Sequence, residues 1–248
     1  MILLKIFIDP GHGGESIGAV YKGRREQDDV LRLSLDVRDI LIKNENVEVM
    51  LSREGNENPS LEERARMANE WGADYFCSVH RNAFSPNKAK GVEAWCYSAV
   101  KKGGETYSLA ENIVDGICKA VGFNNRGVKL GAPSYEDFAV NRLTKMSSCL
   151  LEAGFIDSDE DNNIFDSRFD KLSSSLAEGL LRAVGIEPVT VGDVDGDGKL
   201  TASDARSVLR ASVELENVPL EKGDVNGDGK ITAADAREIL RKSVEGEG

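Results

Sequence analysis

Two histidines occur in this chain, and each stands inside its own compact polar motif at the tail of an apolar run. His12 lies in Ile8-Asp9-Pro10-Gly11-His12-Gly13-Gly14, and His80 in Tyr75-Phe76-Cys77-Ser78-Val79-His80-Arg81-Asn82-Ala83. Glu26 falls between them. Glu152 ends a third apolar run, Cys149-Leu150-Leu151-Glu152-Ala153-Gly154-Phe155. Two imidazoles and one carboxylate make a three-donor zinc site with an open fourth position, and a spare glutamate beside it serves as general base. Each residue also has a plainer reading. A lone buried histidine is often a hydrogen-bonded core group, Glu26 at a helix start suits the helix dipole, and Glu152 at a strand end suits a surface carboxylate. Asp9 reads as a turn residue.

A second chemistry is written in the C-terminal quarter. Gly192-Asp193-Val194-Asp195-Gly196-Asp197-Gly198-Lys199 recurs as Gly223-Asp224-Val225-Asn226-Gly227-Asp228-Gly229-Lys230, and the match runs on into Asp204-Ala205-Arg206 against Asp235-Ala236-Arg237. This is an internal duplication. Each copy fits the calcium-loop pattern D-x-[DN]-x-[DN]-G, with Asp193, Asp195 and Asp197 in one and Asp224, Asn226 and Asp228 in the other. Lys199 and Lys230 fall where a backbone carbonyl coordinates, and Asp204 and Asp235 fall at position twelve, where ordinary EF-hands carry glutamate. Pro188 and Gly192 argue against a helix before the first loop, so each unit is a loop followed by one helix. The pattern predicts two structural calcium ions. An acidic solvated turn is the plainer alternative.

The elements that must position these groups follow from periodicity. Residues 4–8 read as a buried strand, and 25–43 as a helix with Val30, Leu33, Val37, Ile40 and Leu41 on one face. A strand over 47–51 precedes a helix near 60–71, opened by Ser60 with Glu63 at capping-box spacing. Strands near 74–80 and 91–97, a helix near 104–120, a strand near 147–152 and a helix near 168–184 complete the series. Such alternation predicts an α/β fold: a mixed, mostly parallel sheet flanked by helices, with ligands gathered beyond the carboxyl ends of strands. His12, His80 and Glu152 each follow or end a strand, so one metal could collect them. After Val184 the composition changes. The expected division is a catalytic domain over 1–184, a linker over 185–191 and a small all-α calcium-loop domain of two half EF-hands over 192–248. In its helices Ala205, Val208 and Leu209 would face Ala236, Ile239 and Leu240.

Composition narrows the partners. A net charge of −12 argues against nucleic acid and anionic membrane surfaces. No apolar run approaches the roughly 18 residues of a membrane span, and the opening apolar run runs straight into the His12 motif, so it reads as a strand rather than a signal peptide. The four cysteines (Cys77, Cys96, Cys118, Cys149) show no metal-finger spacing. Strand alternation turns Cys77 away from His80 and Cys149 away from Glu152, so they read as buried free thiols.

Taken in order, the DPGHGG segment around His12, Glu26 before a helix, Leu61-x-x-Arg64 with Ala68-Asn69, SVHRNA around His80, Gly91-Val92-Glu93, Asn125-Arg126-Gly127-Val128 and Glu152-Ala153-Gly154-Phe155 resemble the zinc-dependent N-acetylmuramoyl-L-alanine amidases of the Amidase_3 type, over about residues 3–184. The resemblance implies that His12, Glu26 and His80 hold one zinc ion and that Glu152 is the catalytic glutamate. The substrate it implies is peptidoglycan, cut between N-acetylmuramic acid and L-alanine. Members under cell-division control carry a long helix that plugs the site. Here only Phe84 to Lys90 separate the His80 motif from Gly91, which implies an open site. The tandem over 192–244 resembles a type I dockerin and implies a cohesin-bearing partner and an extracellular or cell-wall setting. Ala202-Ser203 and Ala233-Ala234 stand where many dockerins carry Ser/Thr. Two other functions fit parts of the pattern: a zinc peptidase cutting within the stem peptide, and a non-catalytic wall-binding protein docked through its calcium domain.

Overall fold

A computed structural model describes residues 3–132, 137–188 and 190–245. Met1 and Ile2 of the expected first strand, Val189 of the expected linker and residues 246–248 of the expected calcium domain lie outside the described residues. Two compact units are present, Met1–Ile186 and Glu187–Gly248.

In the first unit the order is β1 (Leu4–Pro10), β2 (Val20–Tyr21), β3 (Arg24–Arg25), α1 (Glu26–Leu41), β4 (Val47–Leu51), α2 (Leu61–Trp71), β5 (Tyr75–Asn82), β6 (Val92–Cys96), α3 (Glu105–Val121), β7 (Asn125–Leu130), α4 (Ala139–Leu143), β8 (Ser147–Phe155), α5 (Asp159–Ser167) and α6 (Phe169–Ala183). Six strands form one sheet in the order β4-β1-β5-β8-β6-β7. All neighbours run parallel except β6 against β8. The mixed, mostly parallel sheet expected from the alternation is the one observed.

Because side chains alternate along a strand, the sheet sorts its residues into two layers. Ile6, Ile8, Tyr75, Cys77, Val79, Cys149 and Leu151 join Val30, Leu33 and Val37 of α1 and the apolar faces of α3 and α6. On the other side Phe7, Phe76, Trp95 and Leu150 pack with Ala68 of α2 and Val140 of α4. By the same parity Asp9, His80, Glu152 and Glu93 belong to this second, thinner layer, which leaves their ends of the strands accessible. All four cysteines are buried and free.

Helix α2 begins where expected. The Ser60 hydroxyl accepts from the Glu63 amide while the Glu63 carboxylate accepts from the Ser60 amide, the reciprocal cap that satisfies two otherwise orphaned donors. Several elements fall outside the expected series. Edge strand β7 has no buried residue and no alternating apolar pattern; α4 and α5 are short, and α5 is mostly polar, so periodicity has too few turns to register. Strands β5 and β8 also run past His80 and Glu152, to Asn82 and Phe155, through an irregular register after His80.

The second unit holds α7 (Ala202–Ala211), α8 (Leu220–Gly223) and α9 (Ala233–Glu245) around a core of Ala205, Val208, Val218, Ala236 and Ile239. Leu209 and Leu240, expected in the facing stripes, are exposed. Each sits one residue past the buried position, a rotation of about 100° on a helix, and Val218 from the connecting segment takes up the contact instead. A core this small supplies little stabilisation by itself.

Candidate metal centre

The loop after β1 turns sharply at His12, which adopts a left-handed backbone (φ 61°). Gly11 precedes it because nothing larger fits: a Cβ there would stand 2.3 Å from the His80 ring. Gly18 likewise lies against Glu26 and His12, and a Cβ would meet Glu26 Oε2 at 2.6 Å. The glycines of the motif thus let the backbone close in on the imidazoles and the carboxylate.

His12, Glu26 and His80 converge, each offering one donor atom within 4.8 Å of the others. His12 Nε2 lies 3.1 Å from Glu26 Oε2, and His80 Nδ1 lies 2.9 Å from Glu26 Oε1. Backbone amides orient the carboxylate further: Ala19 donates to Oε2 at 2.9 Å and Arg81 to Oε1 at 3.0 Å. Burial alone would push the Glu26 carboxyl up, but its bonds to His12 and His80 outweigh burial and hold it well below the usual carboxylate range. Burial works to lower the His80 pKa, and Glu26, with Glu152 and Asp9 adding at longer range, raises it on balance. Two nitrogen donors and one carboxylate at these separations fit the donor set and number of a catalytic zinc site.

Glu152 stands apart from these three donors. Its Cα is the register partner of His80 on one side and of Glu93 on the other, so three polar residues form a row across β5, β8 and β6. Glu152 Oε2 is buried with no hydrogen-bond partner among the described residues. Burial pushes its carboxyl up to about 8; Glu26 and Glu93 add to this and His80 opposes it. A carboxyl so placed binds a proton readily near neutrality, which suits general acid–base work.

Asp9 is no turn residue. It is a strand residue 1% exposed, and it accepts from Ser52 Oγ at 2.5 Å, Ser78 Oγ at 2.7 Å and Arg64 Nη1 at 2.7 Å. Arg64 also donates to the carbonyls of Pro10 and His12, and Arg53 to those of Pro10 and Gly11. Two buried guanidinium groups therefore clamp the backbone that carries His12. Arg64 in the Leu61-x-x-Arg64 motif was the available signal, since a buried arginine needs a carboxylate partner. Arg81 does similar work for the segments that carry His80 and Glu26. Fully buried, it donates to Asp29 at 2.6 Å and Asn162 at 2.8 Å and stacks on Phe165, tying the end of β5 to the start of α1.

A groove of about 550 Å³ opens from His12 and His80 between Asn58–Leu61 and Phe138–Val140. Between β5 and β6 the described chain makes turns and bends and no helix.

In the second unit Asp193, Asp195 and Asp197 bring their carboxylates within 4.8 Å of one another. Asp193 accepts from the amides of Gly196, Asp197 and Gly198, and Asp224 accepts from Gly227, Asp228 and Gly229 in the matching way. Amides of Lys199 and Lys230 donate to Asp197 and Asp228, and Asn226 accepts from the Asp228 amide. Asp204 and Asp235 are buried and bridge each loop to its helix. Asp204 accepts from Val194, Asp195 and Thr201, and Asp235 from Val225, Asn226 and Thr232. Both loops are thus curled around their first aspartate.

Comparison with known proteins assigns the two units to families. The family profile described as N-acetylmuramoyl-L-alanine amidase matches residues 6–184, and that described as dockerin type I domain matches residues 191–242. N-acetylmuramoyl-L-alanine amidase CwlM of Bacillus licheniformis is 37% identical over 187 residues, 74% of this chain and 70% of the relative. The sporulation-specific N-acetylmuramoyl-L-alanine amidase of Bacillus subtilis is 37% identical over 188 residues, 75% and 70% of the two chains. Among solved structures, the N-acetylmuramoyl-L-alanine amidase of Clostridium difficile 630 superposes with a TM-score of 0.67 at 30% identity, covering 73% of this chain and 97% of its own.

Proposed function

We infer the reaction of this chain from its family and its site together: it belongs to the N-acetylmuramoyl-L-alanine amidase family, and it carries a type I dockerin domain after the amidase domain. It is an amide hydrolase of peptidoglycan. We propose further that the hydrolysis depends on one zinc ion held by His12, Glu26 and His80, with Glu152 as the proton-transferring group. The observation that carries this reading is the convergence of the three donors beside a buried carboxylate oxygen left without a partner.

A zinc ion, when bound, supplies Lewis-acid polarisation of an amide carbonyl and acidifies water. The chain's own residues do the rest. Glu26 and the backbone amides of Ala19 and Arg81 fix the donors, and Arg64 and Arg53 hold the His12 loop in place. Glu152 Oε2 takes the proton of the attacking water and passes it to the departing amine of L-alanine. The groove beside His12 admits the substrate, and with no helix inserted after β5 the site is open without activation.

The second unit binds two calcium ions on this reading, through Asp193, Asp195, Asp197, Lys199 (by its carbonyl) and Asp204, and through Asp224, Asn226, Asp228, Lys230 (by its carbonyl) and Asp235. It attaches the enzyme to a cohesin-bearing partner at an extracellular or cell-wall location. The curled loops and the dockerin match support this. Mass spectrometry of products from purified peptidoglycan tests the reaction. Free stem peptides beginning with L-alanine, together with glycan bearing intact lactyl groups, are expected. Cleavage inside the stem would make the protein a peptidase, and no cleavage a wall-binding module.

A further inference from the structure

Beyond Glu152 the polar row continues into a cationic ledge that the hydrolysis itself does not use. Glu93 on β6 is buried, with its side chain 2% exposed, while Arg126 and Lys129 on neighbouring β7 reach over it with 31% and 34% of their side chains exposed. Both cations donate to the same oxygen: Arg126 Nε to Glu93 Oε2 at 2.5 Å and Lys129 Nζ at 2.6 Å. The other oxygen, Oε1, accepts from Asn82 and Trp95. One cation would neutralise Glu93; the second is surplus. Among the described residues no other group accepts a hydrogen bond from the side chain of Arg126 or Lys129. Each head also lies over an aromatic ring, Arg126 on Phe155 at 4.9 Å and Lys129 on Trp95 at 5.0 Å, so both are held in place before anything binds. In a chain of net charge −12, a fixed, partly exposed positive pair beside a catalytic carboxylate calls for an anionic ligand.

We propose that Arg126 and Lys129 form a carboxylate subsite for the leaving peptide, reading the acidic residue that follows L-alanine. This rests on the amidase reading above. Strands lie about 4.8 Å apart, so cations drawn onto Glu93 stand about one strand spacing from Glu152. An extended peptide spans about 3.3–3.6 Å per residue, which puts the α-carboxylate of D-isoglutamate about 7 Å beyond the cut bond. The two spans differ by about one hydrogen-bond length, which the donors reaching out from Glu93 cover. The guanidinium's terminal nitrogens, free of Glu93, present the planar donor edge that pairs with a carboxylate.

The test compares two muramyl dipeptides with the zinc-loaded full chain, both capped as γ-amides, one carrying D-isoglutamate and the other D-isoglutamine, which replaces the α-carboxylate by a neutral amide. Wild type should favour the carboxylate by about tenfold or more in kcat/KM, mainly through KM. Calorimetry with the product dipeptides L-alanyl-D-isoglutamate and L-alanyl-D-isoglutamine should show the same order of affinity. Arg126→Gln and Lys129→Gln each keep an N–H toward Glu93 and leave it one cation, so the fold should survive, and thermal melts check this. Each should cut the preference, and the double variant should bring the ratio near one. Equal rates and equal binding of the two forms by wild type would overturn the subsite while leaving the amidase reading intact. A double variant that keeps the preference would also overturn it. Hydrolysis of neither dipeptide, with normal turnover of peptidoglycan, would show that the dipeptide lacks other required contacts; binding of the product pair then decides alone.

Discussion

Replacing Glu152 by Gln should move activity and stability in opposite directions. The carboxyl has an ordinary value of 4.5 and stands at about 8 in the fold, chiefly because burial disfavours its charge. Between those values the folded protein holds a proton that the unfolded chain has released. Stability of the metal-free protein therefore falls as pH rises from about 4.5 to about 8, and the full penalty is present above that. At 1.36 kcal/mol per pH unit the penalty is at most on the order of 5 kcal/mol, and partial exposure of the residue reduces it to a few kcal/mol. Glutamine cannot ionise, so metal-free Glu152→Gln should be more stable than wild type at pH 9 and indistinguishable from it near pH 4. With zinc bound the variant should lose about a hundredfold or more in turnover, because the amide keeps the shape but accepts no proton. Urea melts of the metal-free proteins at the two pH values and turnover of the zinc-loaded ones provide the measurements. A variant within tenfold of wild-type rate at full zinc occupancy would refute the acid–base role. One that is less stable than wild type at pH 9 would refute the account of a buried carboxyl strained by its charge.

Three further outcomes are expected. His12→Ala and His80→Ala should each lose the metal, since two remaining ligands hold zinc poorly; elemental analysis showing full occupancy in either would remove that histidine from the ligand set. Asp9→Asn should cost about 3–5 kcal/mol in urea unfolding, because it leaves the buried Arg64 guanidinium without its counter-charge; a loss under about 1 kcal/mol would show that the carbonyls of Pro10 and His12 suffice. A peptide of residues 187–248 should gain helix by circular dichroism when calcium is added, because its small core needs metal-binding free energy. A calcium-selective chelator should reverse that change and leave zinc in the full chain, and a spectrum indifferent to calcium would count against the loops as folding elements.

Much of this was legible because the signals were local. Apolar periodicity located α1, α2, α3 and α6, and a capping box placed the start of α2 within one residue. The duplicated glycines and carboxylates marked both acidic loops of the dockerin domain. Motif order brought forward His12, Glu26, His80 and Glu152, which spacing alone could not tell from core histidines and helix-start acids. What stayed hidden was pairwise and long-range. Asp9 reads as a turn residue until Arg64, 55 positions later, is seen to meet it. Strand β7 carries no alternating pattern because it is an edge whose charged residues serve a carboxylate on the next strand.

The arrangement of the site follows from one property of the sheet. In adjacent strands, register partners point to the same face, so His80, Glu152 and Glu93 stand side by side without any loop to hold them. The carboxylates of Glu152 and Glu93 in this row, with Glu26 close by, would repel one another on a low-dielectric surface if left alone. The carboxylates on either side of Glu152 are answered differently: Glu26, bonded to His80 at one end of the row, is met by two imidazoles, and Glu93 at the other by an arginine and a lysine. Only the middle carboxylate has no partner of its own on Oε2. A proton-transferring group must be both held in place and free to exchange its proton. Neighbours that are already neutralised, on strands that cannot shift register without exposing the apolar layer beneath, provide both conditions at Glu152.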